Sequence, residues 1–138
     1  MTEDYVSFET AKLLKEKGFD SECDYLYANG NIVRARGGKC NWNKGETLFT
    51  DYKNECSAPT LQMAMKWLRE KHNKIIIPRI RVTDPITGVI DCYCIDVHYI
   101  PKNNGGALCF ISPTPENGYS TYEEACESGI KYCLENLI

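Results

Sequence analysis

Ile75-Ile76-Ile77-Pro78-Arg79-Ile80-Arg81-Val82, then Asp84-Pro85-Ile86-Thr87-Gly88, then Val89-Ile90-Asp91-Cys92-Tyr93-Cys94-Ile95-Asp96-Val97-His98-Tyr99-Ile100 sets the architecture of this chain. Two strand-length apolar runs flank a segment rich in turn formers, and that pattern predicts a hairpin. Pro101-Lys102-Asn103-Asn104-Gly105-Gly106 turns the second run into a third, Ala107–Ser112. Strands joined in sequence by tight turns form an antiparallel meander. Pro78 has no amide hydrogen for a ladder, so its strand is expected at an edge or with a bulge.

A second hairpin is written upstream. Tyr25–Ala28 and Asn31–Val33 are separated by Asn29-Gly30, the residue pair that tolerates the positive φ angles of a type I′ turn. A further short strand is expected near Thr47–Tyr52.

Three amphipathic helices surround these strands. From Tyr122 the apolar positions fall at Tyr122, Ala125, Cys126, Gly129, Ile130, Cys133, Leu134 and Leu137, a sustained three-four spacing. Thr121 with Glu124, or Ser120 with Glu123, supplies a capping box. A helix from about Pro59 to His72 places the proline in its first turn, with Leu61, Ala64, Met65 and Leu68 on the main face and Met63 and Trp67 widening it. Asn73 can close it. The first helix, Phe8–Lys17, has Ser7 as N-cap and Gly18 after its end. The expected fold is therefore α+β: one domain over residues 1–138, in two layers, with an antiparallel sheet covered by about three amphipathic helices.

Composition narrows function further. The chain has 138 residues, 43% hydrophobic and 25% charged, with a formal net charge of −3. That length suffices to bury roughly two thirds of the unfolded surface in one core. A weakly acidic chain of this kind is no general nucleic-acid coat. No run approaches the roughly 20 apolar residues that span a bilayer, and the acidic start is followed by no signal-like segment. The expected setting is cytoplasmic and reducing, so the eight cysteines read as small buried hydrophobes before disulfides or metal ligands.

Tyr5-Val6-Ser7-Phe8-Glu9-Thr10-Ala11-Lys12-Leu13-Leu14-Lys15-Glu16-Lys17-Gly18-Phe19-Asp20, Ala58-Pro59-Thr60-Leu61-Gln62-Met63-Ala64-Met65-Lys66-Trp67-Leu68-Arg69-Glu70 and the ending from Tyr122-Glu123-Glu124-Ala125 to Leu137-Ile138 resemble segments of one family. It comprises short uncharacterised proteins from gut Bacteroidetes and from their phages or mobile elements. The resemblance, together with the absence of a catalytic constellation, motivates the expectation of an accessory factor that binds a host protein. It carries no catalytic residue and no cofactor over to this chain.

The segment most suggestive of a ligand site is Arg34-Ala35-Arg36-Gly37-Gly38-Lys39-Cys40-Asn41-Trp42-Asn43-Lys44. It holds four positive charges and no acid. Arginines fork onto phosphate, glycines let amides approach an anion, and an indole offers a stacking face. Arg34, Arg36, Lys39, Trp42 and Lys44 are the candidate residues for a nucleotide or another anionic small ligand. The competing expectation is a solvated loop with Trp42 folded onto the core.

On the strand Ile90–Tyr99, period two puts Cys92, Cys94, Asp96 and His98 on one face. That row invites a zinc reading, yet same-face neighbours lie roughly 6.6 Å apart, so Cys92 and His98 are separated by about 20 Å. Cys94 and His98, at about 13 Å, are likewise too far apart for a nucleophile pair. No metal site, cofactor or catalytic set is assigned. The expected function is that of a non-catalytic interaction protein that binds a host protein, with sequestration of an anionic small molecule as the alternative. Oligomeric state is left open.

Overall fold

The computed structural model describes residues 4–34, 38–44, 55–101 and 105–138. The element order is α1 (Phe8–Glu16), β1 (Tyr25–Ala28), β2 (Asn31–Arg34), β3 (Cys56–Ser57), α2 (Leu61–His72), β4 (Lys74–Asp84), β5 (Val89–Tyr99), β6 (Cys109–Ile111) and α3 (Tyr122–Asn136), with a single 3-10 turn at Trp42–Lys44. The fold is α+β with antiparallel sheets. The strand expected near Thr47–Tyr52 lies outside the described residues.

Helix boundaries follow from local side-chain chemistry. Ser7 Oγ accepts from the Thr10 amide at 3.2 Å and caps α1. Thr121 Oγ1 accepts from the Glu124 amide at 3.1 Å, while the Glu124 carboxylate reaches back to the Ser120 amide, so the box joins Thr121 and Ser120 to the same glutamate. α2 differs from expectation. It starts at Leu61, because Thr60 Oγ1 accepts from the Met63 amide at 3.2 Å and takes the cap position, which leaves Pro59 before the helix. The segment before α1 holds this start in place: Leu61 N donates to Asp4 O and Val6 N to Pro59 O. Asn73, at φ 55°, ends α2 in the left-handed region.

The strands form two three-stranded sheets instead of one, ordered β2-β1-β3 and β4-β5-β6. The first hairpin turns at Asn29 and Gly30, both with positive φ. β4 runs at the edge of the second sheet, and a register shift falls between Arg81 and Val82. Pro78 stands opposite Ile95, whose N–H donates to Thr114 Oγ1 and whose carbonyl accepts from Ser112 Oγ and Thr114 Oγ1. The main-chain groups of Ile95 thus point away from β4. In an antiparallel ladder the opposed residue does likewise, so the absent donor of Pro78 faces the open edge. An edge so interrupted resists the addition of another strand.

One core joins the elements. α3 packs on β4 and β5 and against both other helices, while α1 touches β3. Leu14, Phe19, Leu26, Trp42, Trp67, Val97, Ile130 and Leu134 are all buried in it. Gly129 lets α3 approach the large sheet closely: a Cβ there would lie 2.7 Å from Ile95 Cγ1 and 2.9 Å from Ile76 Cγ2. Among the described residues no helix is long and apolar enough to cross a membrane.

Candidate functional site

The basic segment divides on folding. Arg34 ends β2 with its side chain exposed, and Lys39 is exposed as well. Arg36 lies outside the described residues, and Lys44 closes the 3-10 turn. Trp42 is 4% exposed. Its indole N–H donates to Cys23 O at 3.0 Å and its main-chain N–H to Ser57 Oγ at 3.1 Å. Asn43 extends the clasp, its Oδ1 accepting from the Ser57 amide and its Nδ2 donating to Phe19 O, both at 2.9 Å. Residues 40–44 thus tie the small sheet to the core. The indole offered as a stacking face is turned inside the protein, as in the competing expectation of Trp42 folded onto the core.

A different surface emerges on the second sheet. Register places Ile75, His98 and Phe110 in one row across β4, β5 and β6, with Ile77 opposite Asp96 in the next row and Arg79 opposite Cys94 after it. Directly opposed residues share a face, so these side chains lie together. The other face carries Ile76 and Ile95 beneath α3. On the face away from α3, Ile75 is 42% exposed, Ile77 43% and Phe110 60%. The His98 and Phe110 rings meet edge to face at 5.0 Å.

Polar groups bound this apolar row. Arg79 Nε donates to Asp96 Oδ2 at 2.7 Å. That hydrogen bond, with the carboxylate charge behind it, raises the guanidinium further above its ordinary range. Asp96 is buried, and its Oδ1 has no hydrogen-bond partner among the described residues. Arg81 Nη1 donates to Glu116 O at 3.0 Å, holding the 115–118 turn over Cys92, where a Cβ on Gly118 would collide with the sulfur. The same-face row Cys92, Cys94, Asp96 and His98 therefore contains two buried thiols, an ion-paired carboxylate and a ring packed on phenylalanine.

Chemistry needs groups that converge. Among the described residues, no three His, Cys, Asp or Glu side chains are placed to hold a metal ion. Burial pushes the thiols of Cys23 and Cys133 up to about 12 and that of Cys56 up to about 11, the reverse of an activated nucleophile. An acidic cleft of about 420 Å³ lies near the starts of α1 and α3. Its Glu127 is occupied by Ser7 and Thr10, and Glu124 belongs to the helix cap.

Sequence periodicity could place Asp96 and His98 on one face, and Arg79 with Arg81. It could not bring Ile75, Ile77 and Phe110 beside them, since only register does so. Comparison with protein-family models, with curated proteins and with solved structures finds no match for this chain.

Proposed function

We propose that this chain is a non-catalytic interaction protein that engages a partner protein through the face of β4, β5 and β6 turned away from α3. The observation that carries the reading is the partial exposure of Ile75, Ile77 and Phe110 on a sheet whose opposite face is sealed by a helix. Contiguous apolar surface of this kind characterises association sites. The fitting partner is an apolar protein segment. The resemblance to proteins of Bacteroidetes phages and mobile elements supports a host protein as that partner. The anionic-ligand reading retains Arg34 and Lys39 at the surface but has lost the indole on which stacking depended.

The test compares the full chain with Ile77→Asp and Phe110→Asp, each checked for native circular dichroism, in capture from a Bacteroides-type lysate followed by titration against the purified captured protein. Ile86→Asp, at a position 94% exposed in the β4–β5 turn, is the control. Both face variants should weaken the purified complex at least about tenfold, and the control should leave it intact. Equal affinity for all four chains would remove the face from the function. Concentration-dependent self-association lost in the two face variants would replace the host partner by a second copy.

A further inference from the structure

Cys23 and Cys40 stand directly opposite one another in an isolated antiparallel bridge, which joins the chain before β1 to the segment carrying Trp42. They exchange both main-chain hydrogen bonds, Cys23 N to Cys40 O at 2.9 Å and Cys40 N to Cys23 O at 3.2 Å. Residues so paired hold their Cα atoms about 5.5 Å apart, with side chains on one face. A disulfide spans about 4.4–6.8 Å between Cα atoms, so the backbone already meets its requirement. Among the described residues no other two cysteines are opposed in a strand pairing.

The two thiols differ in access. Cys23 is buried and Cys40 is partly exposed. The Cys23 thiol donates weakly to Ser21 O at 3.6 Å. Burial pushes it up to about 12, while a hydrogen bond with Ser57 and the charge of Lys39 act the other way. Such a pair suits exchange in two steps, in which the accessible sulfur meets the reagent and the inner one resolves it. Lys39, exposed beside Cys40, favours a reagent that carries carboxylates.

We propose that Cys23 and Cys40 form a reversible disulfide by exchange with a low-molecular-weight disulfide bearing carboxylates. Cys40, as the thiolate, attacks one sulfur of the reagent. The reagent's S–S bond breaks, a mixed disulfide forms on Cys40, and one small thiolate leaves. Cys23 then gives its proton to solvent and attacks the Cys40 sulfur, which forms the protein disulfide and expels the second small thiolate. Two protein thiols are oxidised, and one small disulfide is reduced to two thiols. Opposed Cβ atoms lie about 4.5–5.5 Å apart, against about 3.5–4.5 Å in a disulfide. Closure therefore draws them together by about 1 Å, and a bond under such tension is readily reduced. The pair is a switch and not a permanent staple. Closed, it clamps the β1–β2 hairpin to the Trp42 turn at the point where Cys23 O also accepts from the Trp42 indole at 3.0 Å. The site is independent of the partner-binding reading.

The test incubates the folded, reduced full chain with oxidised glutathione, quenches with acid, alkylates, and reads intact and peptide masses. Loss of two hydrogen atoms, with a link between the Cys23 and Cys40 peptides, is expected, and excess reduced glutathione should reverse it. Closure should quicken as pH rises, because the thiolate is the attacking form. Cys23→Ala should stop at the mixed disulfide on Cys40, and Cys40→Ala should abolish the link, while Cys109→Ala should leave it intact. The wild-type chain decides the matter even if a cysteine variant fails to fold. An unchanged mass, a glutathione adduct that persists on Cys40, links spread among other cysteines, a link formed only in urea, or one that reduced glutathione cannot open would overturn the proposal.

Discussion

Thr10 on α1 donates its hydroxyl to the Glu127 carboxylate on α3 at 2.5 Å, and Ser7 gives the same oxygen both its amide, at 2.9 Å, and its hydroxyl. One carboxylate oxygen thereby binds the cap of the first helix to the last, far along the chain. Thr10 is fully buried. Hydrogen bonds to a charged acceptor are the stronger kind.

Removing that acceptor should be felt at both helices. Glu127→Ala is expected to destabilise the protein by about 2–3 kcal/mol, because the buried Thr10 hydroxyl loses its partner. Glu127→Gln, which keeps an acceptor oxygen, should cost distinctly less. Urea denaturation of the three proteins decides the order, and equal midpoints for all three would show that the acceptor contributes nothing.

Gly129 sets two effects against each other. In a helix interior, Gly→Ala is normally stabilising by roughly 0.5–1 kcal/mol. Here the new methyl would meet Ile95 at 2.7 Å and Ile76 at 2.9 Å, and overpacking of that kind costs about 1–3 kcal/mol. The steric term is larger, so Gly129→Ala should lower the melting temperature. A rise would mean that α3 can shift away from the sheet without loss.

Trp42 separates a core residue from a ligand contact. Trp42→Phe removes the indole N–H that satisfies Cys23 O and opens space in the core. A loss of about 1–3 kcal/mol is expected in urea unfolding. An unchanged midpoint would show that the ring does not belong to the core.

The buried thiols give stability a pH dependence of definite sign. Cys23, Cys56 and Cys133 have folded-state values raised from an ordinary 9.0 to about 12, 11 and 12. A raised value means that the folded state holds its proton more tightly than the unfolded chain does. The contribution is therefore complete below pH 9.0 and is lost as pH rises through 11 and 12. The urea midpoint should fall between about pH 8 and about pH 10.5, and fall less in Cys133→Ala. Alkylation should follow the same logic, with partly exposed Cys40 and Cys109 reacting before the buried thiols.

Much of this fold was legible in the residues because its causes are local. Ser7, Thr121 and Asn73 mark helix ends through side-chain or backbone preferences that need no tertiary context. Asn29-Gly30 specifies its turn for the same reason. Pro78 announces a strand at an edge or with a bulge, and the spacing of Ala125, Cys126, Ile130, Cys133 and Leu134 announces the buried side of α3. Thr60 shows where local signals compete: proline suits the first helical turn, yet a threonine immediately after it makes the better cap, and the helix begins beyond both.

The surfaces were less legible. In the basic segment, charge and an aromatic ring stand side by side, but whether an indole faces water depends on Cys23 O and Ser57 lying where they can satisfy it. Those partners are 19 and 15 residues away. Ile75 and Ile77 would equally suit a buried strand. They are exposed because α3 lies on the other face, and helix placement follows from Gly129 meeting Ile76 and Ile95.

Near-neighbour chemistry was enough to set the α+β class, the three helices with their caps, the hairpin turn and the edge character of β4. Each rests on interactions that span a few residues and can be read from their order alone. The division of the strands into two sheets needed the folded chain, as did the inward turn of Trp42 and the pairing of Asp96 with Arg79. Those outcomes depend on register and on packing between distant segments, which no local pattern of residues encodes.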